Sequence, residues 1–571
     1  MTSSFEVVVA IDFGTTYSGY AFSSTYDNEK DPMKISSNTN WIAGTAGLMS
    51  MKCPTSILFD KDQKFLNFGY EAEDKYSNLA LDNVHRDYHF FKQFKMSLHK
   101  HPDLNRDTVI EDETGKTMKA KTVFAAGIRF LKTHAEDLIN TRGISVEEWE
   151  IRWVLTVPAI WSDAAKQFMR EAAQKAEIMN DQLLIALEPE AASVCCRYLP
   201  DAKGSDIFKS GSKYMVIDLG GGTADINVHQ VTDNGKLREL HKASGGAWGG
   251  TKVDASFIRL LCAILGDDVM DTFRVKHAGD YIDLLREFEV KKRSVKEKME
   301  SSVNFKLPLA LTDLFEKMKN KKIPEALADS TYSEDVTSTA DKIRIRPNLI
   351  QGMFRDPLVH LEDHIRCILA RPEVRGTSTF LLVGGFSESP IVQETIKRKF
   401  PRMKVIVPPE CGLAVLKGAV IFGHNPETIS ARVAKFTYGI AISKPFIEGH
   451  HPIEKRKATQ NGVICTDMFY KFVECGESVD VDHKQTMSCS AGRGCSTNRV
   501  RVYRSTAADP IFVTEEGCNL LGEVILTRET DLNISQKIDV SLTFGGTECS
   551  VEAKDNQSGQ SFKSKFDFLN T

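Results

Sequence analysis

The chain has 571 residues, which is more than a single hydrophobic core accommodates, so two or more domains are expected. Hydrophobic residues make up 42% and charged residues 26%, as in an ordinary globular protein, and the net charge of −4 gives no reason to expect nucleic acid as a partner. No apolar run is long enough for a transmembrane helix, and residues 1–10 lack the features of a secretory signal. We therefore expect a cytoplasmic protein without a transmembrane segment.

A short glycine-containing segment occurs near the N-terminus and again about two hundred residues later. The first copy is IDFGTTYS at 11–18, and the second is IDLGGGTAD at 217–225. Each copy follows an apolar run, so each predicts a strand, a tight turn and a second strand. In both copies an aspartate (Asp12 or Asp218) ends the first strand, and a threonine follows the glycines.

This combination of residues suits a phosphate chain accompanied by a metal ion. Glycine lets backbone amides approach an anion closely, and a threonine hydroxyl adds a hydrogen-bond donor. A carboxylate repels phosphate, so Asp12 and Asp218 are better placed to hold Mg²⁺. One such turn alone is better explained by a glycine hairpin without a ligand. Two copies indicate two halves that close on one nucleotide.

The segment between the two copies predicts mainly helices. Residues 84–100 interleave aromatic and basic side chains, which is typical either of nucleic-acid binding or of a buried helical face with solvated lysines, and the helix-like spacing favours the latter. Further helices are expected over 120–141 and 163–179, the second capped by Ser162. Glu188 opens another helix, with proline in its first turn.

After the second copy the pattern changes from helical to alternating. Helices are expected over 251–265 and 281–300, and the charge of the second indicates by itself a solvated face. From about residue 430, apolar and polar residues alternate with glycine punctuation, which predicts antiparallel strands. We expect one domain over 1–425 and a β-rich domain over 426–571.

Six of the twelve cysteines lie between Cys465 and Cys549. A zinc site formed by His483, Cys489 and Cys495 is one interpretation. The spacing is wider than that of the usual ligand pair, and no second pair follows, so reduced thiols are favoured.

Two other nucleotide-binding motifs fail on single positions. The run 220–222 is not a dinucleotide fingerprint, because Asp225 stands where the last glycine belongs. The segment 115–117 ends like a Walker loop, but Ile110 stands where that motif requires glycine.

Several segments share the order and spacing of one ATPase domain: 11–18, 154–163, 188–192, 217–225, 248–250 and 383–385. Over roughly residues 5–423 the chain resembles the heat-shock protein 70 family. The YSGYA run at 17–21 and the different C-terminal part are most similar to the divergent heat shock 70 kDa protein 12 branch. The resemblance implies an α/β fold, in which a duplicated actin-like (ribonuclease H-like) ATPase domain forms two lobes around a nucleotide cleft. A β-rich C-terminal domain follows, and one interpretation of it is a reshaped substrate-binding domain without a lid.

The resemblance also assigns roles to individual residues. Phosphate contacts are implied for Gly14, Thr15, Thr16 and Tyr17 and for Gly220, Gly221, Gly222 and Thr223. Mg²⁺ is implied at Asp12 and Asp218, and catalytic roles at Lys95, Glu188, Asp218 and Asp225, with Lys92 as the second choice of lysine. Contacts with the rest of the nucleotide are implied for Gly249, Gly250, Glu289, Lys292, Arg293, Gly384, Gly385 and Glu388. This moves the charged helix from a solvated face to a nucleotide-binding element.

Two positions depart from the family pattern. Glu388 replaces the arginine that stacks on adenine, and Lys166 replaces the arginine that pairs with the proline at Pro158. Lysine does not reproduce the planar, forked donor geometry of arginine, so nucleotide preference and coupling are expected to differ.

The expected function is therefore that of an ATP-binding, weakly hydrolysing, chaperone-like protein of the stress response. ATP or ADP and Mg²⁺ are the implied cofactors, and a protein or peptide client is the implied partner. A nucleotide-gated scaffold for one specific protein partner is the alternative, followed by a small-molecule kinase on the same fold.

Overall fold

The computed structural model describes residues 5–38, 41–43, 48–101, 103–199, 206–339, 341–459, 462–491, 497–527, 536–547, 550–556, 561–565 and 567–569. The chain divides into two compact units. The first contains residues 1–227 and 243–426, and the second contains residues 228–242 and 427–571.

The first glycine segment lies in the sheet at the start of the first unit. Strand Val7–Phe13 is buried along its whole length, as is typical of a central strand covered on both faces. It pairs in parallel with Ile151–Val157 and antiparallel with Tyr17–Ser24, which places Asp12 opposite Gly19. The strands of this sheet, in spatial order, are Leu183–Leu187, Ile151–Val157, Val7–Phe13, Tyr17–Ser24 and Ser36–Ser37, with Cys53–Pro54 also paired to Tyr17–Ser24.

The second glycine segment has similar surroundings. Strand Lys213–Leu219 pairs in parallel with Thr379–Val383, which in turn pairs in parallel with Lys404–Ile406. On its other side lies strand Ala224–Val231, which begins in the first unit directly after the glycine turn. Each glycine turn therefore leaves a central strand that has a parallel neighbour. The expected mixed α/β class is confirmed.

Helices make up most of the rest of the first unit. They are Thr25–Lys30, Tyr70–Leu81, Met96–Lys100, Ala120–Thr141, Asp163–Lys175, Glu188–Cys196, Thr251–Leu265, Asp267–Lys276, Ala278–Lys292, Leu309–Lys319, Ile323–Ala328, Pro347–Gly352, Arg355–Leu369, Pro390–Lys399 and Ala414–His424. Ser162 caps its helix as predicted, since its hydroxyl accepts a hydrogen bond from the Ala165 amide at 3.2 Å. The charged helix ends at Lys292 and does not extend to residue 300.

Short strands complete the first unit. They form the pairs Trp41–Ala43 with Leu48–Ser50 and Val109–Glu111 with Thr117–Lys119, and the three-stranded sheets Phe65–Phe68, Ser56–Phe59, His89–Lys92 and Val303–Lys306, Lys342–Ile345, Val336–Thr339.

The single helical face predicted for residues 84–100 is wrong. Residues His89–Lys92 form a strand that pairs with Ser56–Phe59, and a helix begins only at Met96. Aromatic residues fit strands well, and over so few residues the helical and strand periods cannot be told apart. The lysines are not solvated either, because Lys92 pairs with Glu73 and Lys95 is buried.

The second unit is built largely from antiparallel strands. One sheet has the order Arg456–Thr459, Gly462–Val473, Thr437–Pro445, Thr497–Ser505, Cys518–Thr527, and another has the order His483–Ala491, Gln536–Phe544, Ser550–Asp555, Ser561–Lys565. Ile429–Val433 pairs with Ser478–Asp480. Alternate residues such as Val500, Val502, Val540 and Leu542 point into one hydrophobic core, as the alternation in the sequence predicts.

Two expectations about whole segments can be compared with the structure. Among the described residues, no helix combines the length and the apolar character needed to cross a membrane. The alternative zinc site includes Cys495, which lies outside the described residues. His483 and Cys489 are six positions apart on one strand, which separates them by about 20 Å, too far to share one ion.

Candidate functional site

The two glycine turns open into one cavity of about 390 Å³ in the first unit. This volume is within the usual range for a small-molecule site. The wall is formed by Asp12, Gly14, Thr15, Thr16, Tyr17, Ser50, Met51, Lys52, Lys95, Glu188, Asp218, Gly220, Gly221, Gly222, Thr223, Gly250, Glu289, Lys292, Arg293, Gly384, Gly385, Phe386, Glu388, Ser389, Glu410, Gly412, Leu413 and Val415. Most of the residues predicted for the site therefore surround one space.

The two turns meet because their glycines have no side chains. A Cβ atom on Gly221 would lie 2.3 Å from the Thr16 Oγ1 atom, and one on Gly222 would lie 2.6 Å from the Thr15 Oγ1 atom. Within the second turn, the Gly220 amide donates to the Thr223 carbonyl at 2.9 Å. Any larger residue at 221 or 222 would push the two turns apart.

Lys95 and Glu188 form a buried ion pair in the wall. Their Nζ and Oε1 atoms are 2.7 Å apart, and Lys95 is 2% exposed. Glu188 reaches this position because it opens helix Glu188–Cys196 at the end of a buried strand. Lys92, the second choice for the catalytic lysine, pairs with Glu73 at 3.2 Å and does not line the cavity.

Burial controls the protonation of Glu188. It raises the pKa of this carboxyl group to about 7, against the opposing effect of the Lys95 ammonium and with a further contribution from the Asp12 carboxylate. A carboxyl group with a pKa near neutrality can exchange a proton at physiological pH.

Asp218 is a buried carboxyl group whose surroundings disfavour its ionised form. Burial raises its pKa well above the ordinary value, and the neighbouring Glu188 and Asp225 carboxylates raise it further. Gly384, with a φ of +85°, passes so close that a Cβ atom there would lie 2.3 Å from the Asp218 Oδ1 atom. A bound divalent ion would reduce the repulsion between Asp218 and the neighbouring Glu188 and Asp225 carboxylates. Asp218 therefore fits the predicted role of metal ligand.

Asp12 is in a different state because a lysine already contacts it. Its Oδ1 atom accepts a hydrogen bond from the Thr156 hydroxyl at 2.9 Å, and its Oδ2 atom lies 2.7 Å from the Lys52 Nζ atom. Burial acts to raise the pKa of Asp12, but the Lys52 and Lys95 ammonium groups outweigh burial and lower it. Asp12 therefore fits a metal ligand less well than Asp218 does.

The fit to Mg²⁺ consequently depends on a small number of protein oxygens. Among the described residues, no group of three or more His, Cys, Asp or Glu side chains is arranged to hold a metal ion. Mg²⁺ commonly uses one or two carboxylates together with phosphate and water oxygens, so Asp218 beside a bound phosphate chain satisfies that pattern.

Two of the predicted residues lie behind the wall and do not line it. The Asp225 Oδ1 atom accepts a hydrogen bond from the Ile160 amide at 2.9 Å, and the side chain is buried. The Gly249 amide donates to the Gly222 carbonyl at 3.2 Å, and a Cβ atom on Gly249 would lie 2.4 Å from the Gly221 carbonyl oxygen. Gly249 thus supports the second glycine turn from behind.

The charged helix ends in a network of ion pairs that forms part of the cavity wall. The Lys292 ammonium donates to Asp254 at 2.7 Å and also contacts Glu289. The Arg293 guanidinium donates to Glu289 at 2.9 Å and lies 3.4 Å from a Glu388 oxygen. Glu388, where the resemblance expects a stacking arginine, therefore pairs with an arginine from a neighbouring helix.

Sequence reasoning missed several residues of the wall, of which Lys52 and Phe386 are the most informative. Phe386 directly follows the predicted glycine pair 384–385, and that adjacency was an available signal. No local pattern indicates Lys52, because its position depends on strand pairing between distant segments.

Comparison of the sequence with known proteins shows which family the chain belongs to. The family model described as Hsp70 protein matches residues 82–425. This chain belongs to the Hsp70 family. Human heat shock 70 kDa protein 12B is 35% identical over 633 aligned residues, which cover 99% of this chain and 92% of that protein. Heat shock 70 kDa protein 12A from mouse and from human is 34% identical in each case, with the same coverage of 99% and 92%. The resemblance to the Hsp70 family and to its protein 12 branch is thus confirmed.

Lys166 is the second position where the resemblance expects an arginine. Lys166 is buried in helix Asp163–Lys175, and its Nζ atom lies 3.8 Å from the Asp163 carboxylate on the same helix. A lysine in this position presents a single charged point, whereas an arginine would present a fork of donors.

Because the pKa of Asp218 is raised, we expect the stability of the ligand-free protein in EDTA to depend on pH through this group. The folded state holds a proton that the unfolded chain releases, so this group's contribution to stability is present below pH 3.8 and is lost as the pH rises through the folded-state pKa. Asp218→Asn removes the loss, which is worth about 1.4 kcal/mol for each pKa unit. We expect the variant to melt at a higher temperature than the wild type near pH 8, and the difference to shrink toward pH 5.

Asp206→Asn is the matched control, since Asp206 is exposed and pairs with Lys209 at 2.5 Å. It should not raise the melting temperature. A melting difference for Asp218→Asn that is independent of pH would contradict this description of the carboxyl cluster.

Proposed function

We propose that this Hsp70 family member binds ATP and ADP in the cavity and hydrolyses ATP slowly. The observation that carries the proposal is the direct contact of the two glycine turns beside the Lys95–Glu188 pair. Residues of both glycine turns, including Thr15 and Thr16, and the lysine Lys95 line the same space, as a chain of phosphates requires.

The chemistry follows from the positions of the side chains. The amides of both turns and the hydroxyl groups of Thr15 and Thr16 bind the phosphate oxygens. A phosphate beside Lys95 attracts its ammonium group and leaves Glu188 available to orient a water molecule. Asp225 acts from behind the wall by raising the pKa of its neighbours. A Mg²⁺ ion held at Asp218 would neutralise phosphate charge.

We further propose that the two similar strand arrangements are the halves of a duplicated actin-like domain over residues 1–425. The β-rich segment 426–571 then binds a protein or peptide client in the cytoplasm. In the described part of its five-stranded sheet, the edge strand Cys518–Thr527 pairs on one side only, so its other side suits the addition of an extended peptide. Glu289, Lys292, Arg293 and Glu388 hold the nucleoside end of ATP.

Nucleotide binding should stabilise the folded chain. A ligand at one hundred times its dissociation constant adds about 2.7 kcal/mol to the free energy of unfolding, so ATP or ADP with Mg²⁺ should raise the melting temperature of the wild type. Asp218→Asn should reduce the increase seen with ATP and Mg²⁺, measured against its own ligand-free melting temperature, because it removes a metal ligand. Asp206→Asn should retain the full increase.

The binding proposal fails if neither nucleotide shifts the melting curve at millimolar concentration. The assignment of Asp218 fails if both variants respond to ATP and Mg²⁺ as the wild type does.

The choice between the two lysines can be tested by single-turnover phosphate release. Lys95→Met removes the cation beside Glu188 and should slow release by about 100-fold, the size of effect seen when one preorganised charge is lost. Lys92→Met breaks only the contact with Glu73 and should leave the rate within about threefold of the wild type. Slowing by Lys92→Met but not by Lys95→Met would reverse the assignment.

A client-binding role predicts that labelled extended peptides of varied sequence bind the chain and dissociate when ATP is added. Fluorescence anisotropy measures both steps. Absence of peptide binding, with nucleotide binding intact, would replace the client role with that of a nucleotide-gated scaffold for one protein partner.

A further inference from the structure

Lys52 occupies an unexpected position in the cavity wall. Its Nζ atom lies 2.7 Å from the Asp12 Oδ2 atom and 2.8 Å from the Gly412 carbonyl oxygen, and its side chain is 16% exposed. Asp12 belongs to the first glycine segment, whereas Gly412 precedes helix Ala414–His424. The ammonium group therefore connects a predicted metal-binding carboxylate to a part of the wall that is remote in sequence.

Strand pairing explains how Lys52 reaches Asp12. Ser18 pairs with Cys53, so the preceding residue Lys52 lies beside Gly19, and Gly19 pairs with Asp12. A Cβ atom on Gly19 would lie 2.9 Å from the Lys52 Cγ atom. The missing side chain at Gly19 thus lets the Lys52 stem cross the strand toward the carboxylate.

The contacts of the neighbouring cations distinguish Lys52 from them. Lys95 pairs with Glu188, and Lys292 contacts Asp254 and Glu289. Among the lysines of the described wall, Lys52 alone contacts a carboxylate predicted to bind Mg²⁺. The fold holds its Nζ atom beside Asp12 through contacts within the protein.

Lys52 lies in a wall that contains more acidic than basic groups. The wall carries six carboxyl groups and four basic groups, so a phosphate chain enters a site with more acidic than basic groups. A divalent ion usually offsets such an excess. At Asp12 an ammonium group does so already, within hydrogen-bond distance of the oxygen that the ion would otherwise approach.

We propose that the Lys52 ammonium takes the place of the divalent cation at Asp12, so that ADP binds with little dependence on Mg²⁺. This inference rests on the proposed nucleotide site. Lys52 then belongs to the ligand-binding residues and lies next to the phosphates. Asp218 remains as the carboxylate at which a metal ion can assist hydrolysis.

Calorimetric titration of ADP, in Mg²⁺ and in EDTA, tests the proposal on the full chain. For the wild type, the two dissociation constants should agree within about threefold. Lys52→Met keeps the stem but removes the charge, so the constant in EDTA should rise at least tenfold above that in Mg²⁺, because in EDTA neither the ammonium group nor a divalent ion then balances the Asp12 carboxylate.

Lys209→Met is the matched control, because Lys209 forms an exposed pair with Asp206. It should give the ratio seen with the wild type. Lys52→Arg keeps a cation and should remain closer to the wild type than Lys52→Met does.

Three results overturn the proposal. A wild-type constant at least tenfold weaker in EDTA shows that Lys52 does not replace the ion, and this measurement decides even if Lys52→Met fails to fold. A small ratio in both the wild type and Lys52→Met removes Lys52 as the cause. Absence of ADP binding in Mg²⁺ and in EDTA overturns the nucleotide site itself, together with this inference.

Discussion

The burial of several carboxyl groups close together is the constraint on which the site depends. Asp218 and Glu188 both have raised pKa values, caused first by burial and then by nearby acidic groups, whereas Asp12 has a lowered pKa because lysines surround it. Such a cluster is costly in a protein without a bound cation, and the Mg²⁺ ion that we propose to accompany the nucleotide would offset that cost. The arrangement is therefore better explained by ligand binding than by stability. Within the cluster, Lys95 and Lys52 are the protein's own positive charges, paired with Glu188 and Asp12.

Glycine makes this cluster geometrically possible. The two turns touch where Gly221 and Gly222 meet Thr16 and Thr15, and Gly384 passes directly beside Asp218. At each of these positions a Cβ atom would come within 3 Å of a neighbouring oxygen. The same feature explains Lys52, whose stem crosses the strand at Gly19. Small residues thus determine which charged groups can approach one another in this Hsp70 family member.

Local patterns in the sequence predicted the parts of the fold that local physics controls. The two glycine turns, helix Ala120–Thr141 and the Ser162 cap follow from apolar periodicity and turn chemistry. Strand His89–Lys92 was missed because its partner Ser56–Phe59 is remote in sequence and decides between two similar periodicities. Lys52 was missed for the same reason, since its place beside Asp12 is set by pairing with Tyr17–Ser24. Long-range register is the information that a single sequence does not display.

A crystal structure of the chain grown with ADP and Mg²⁺ tests the central claim most directly. The account predicts that the phosphates lie within hydrogen-bond distance of amides of both glycine turns, 14–17 and 221–223, with Lys95 and Lys52 on the same side of the phosphate chain. Nucleotide bound outside this cavity, or bound in it with its phosphates remote from both turns, would contradict the account.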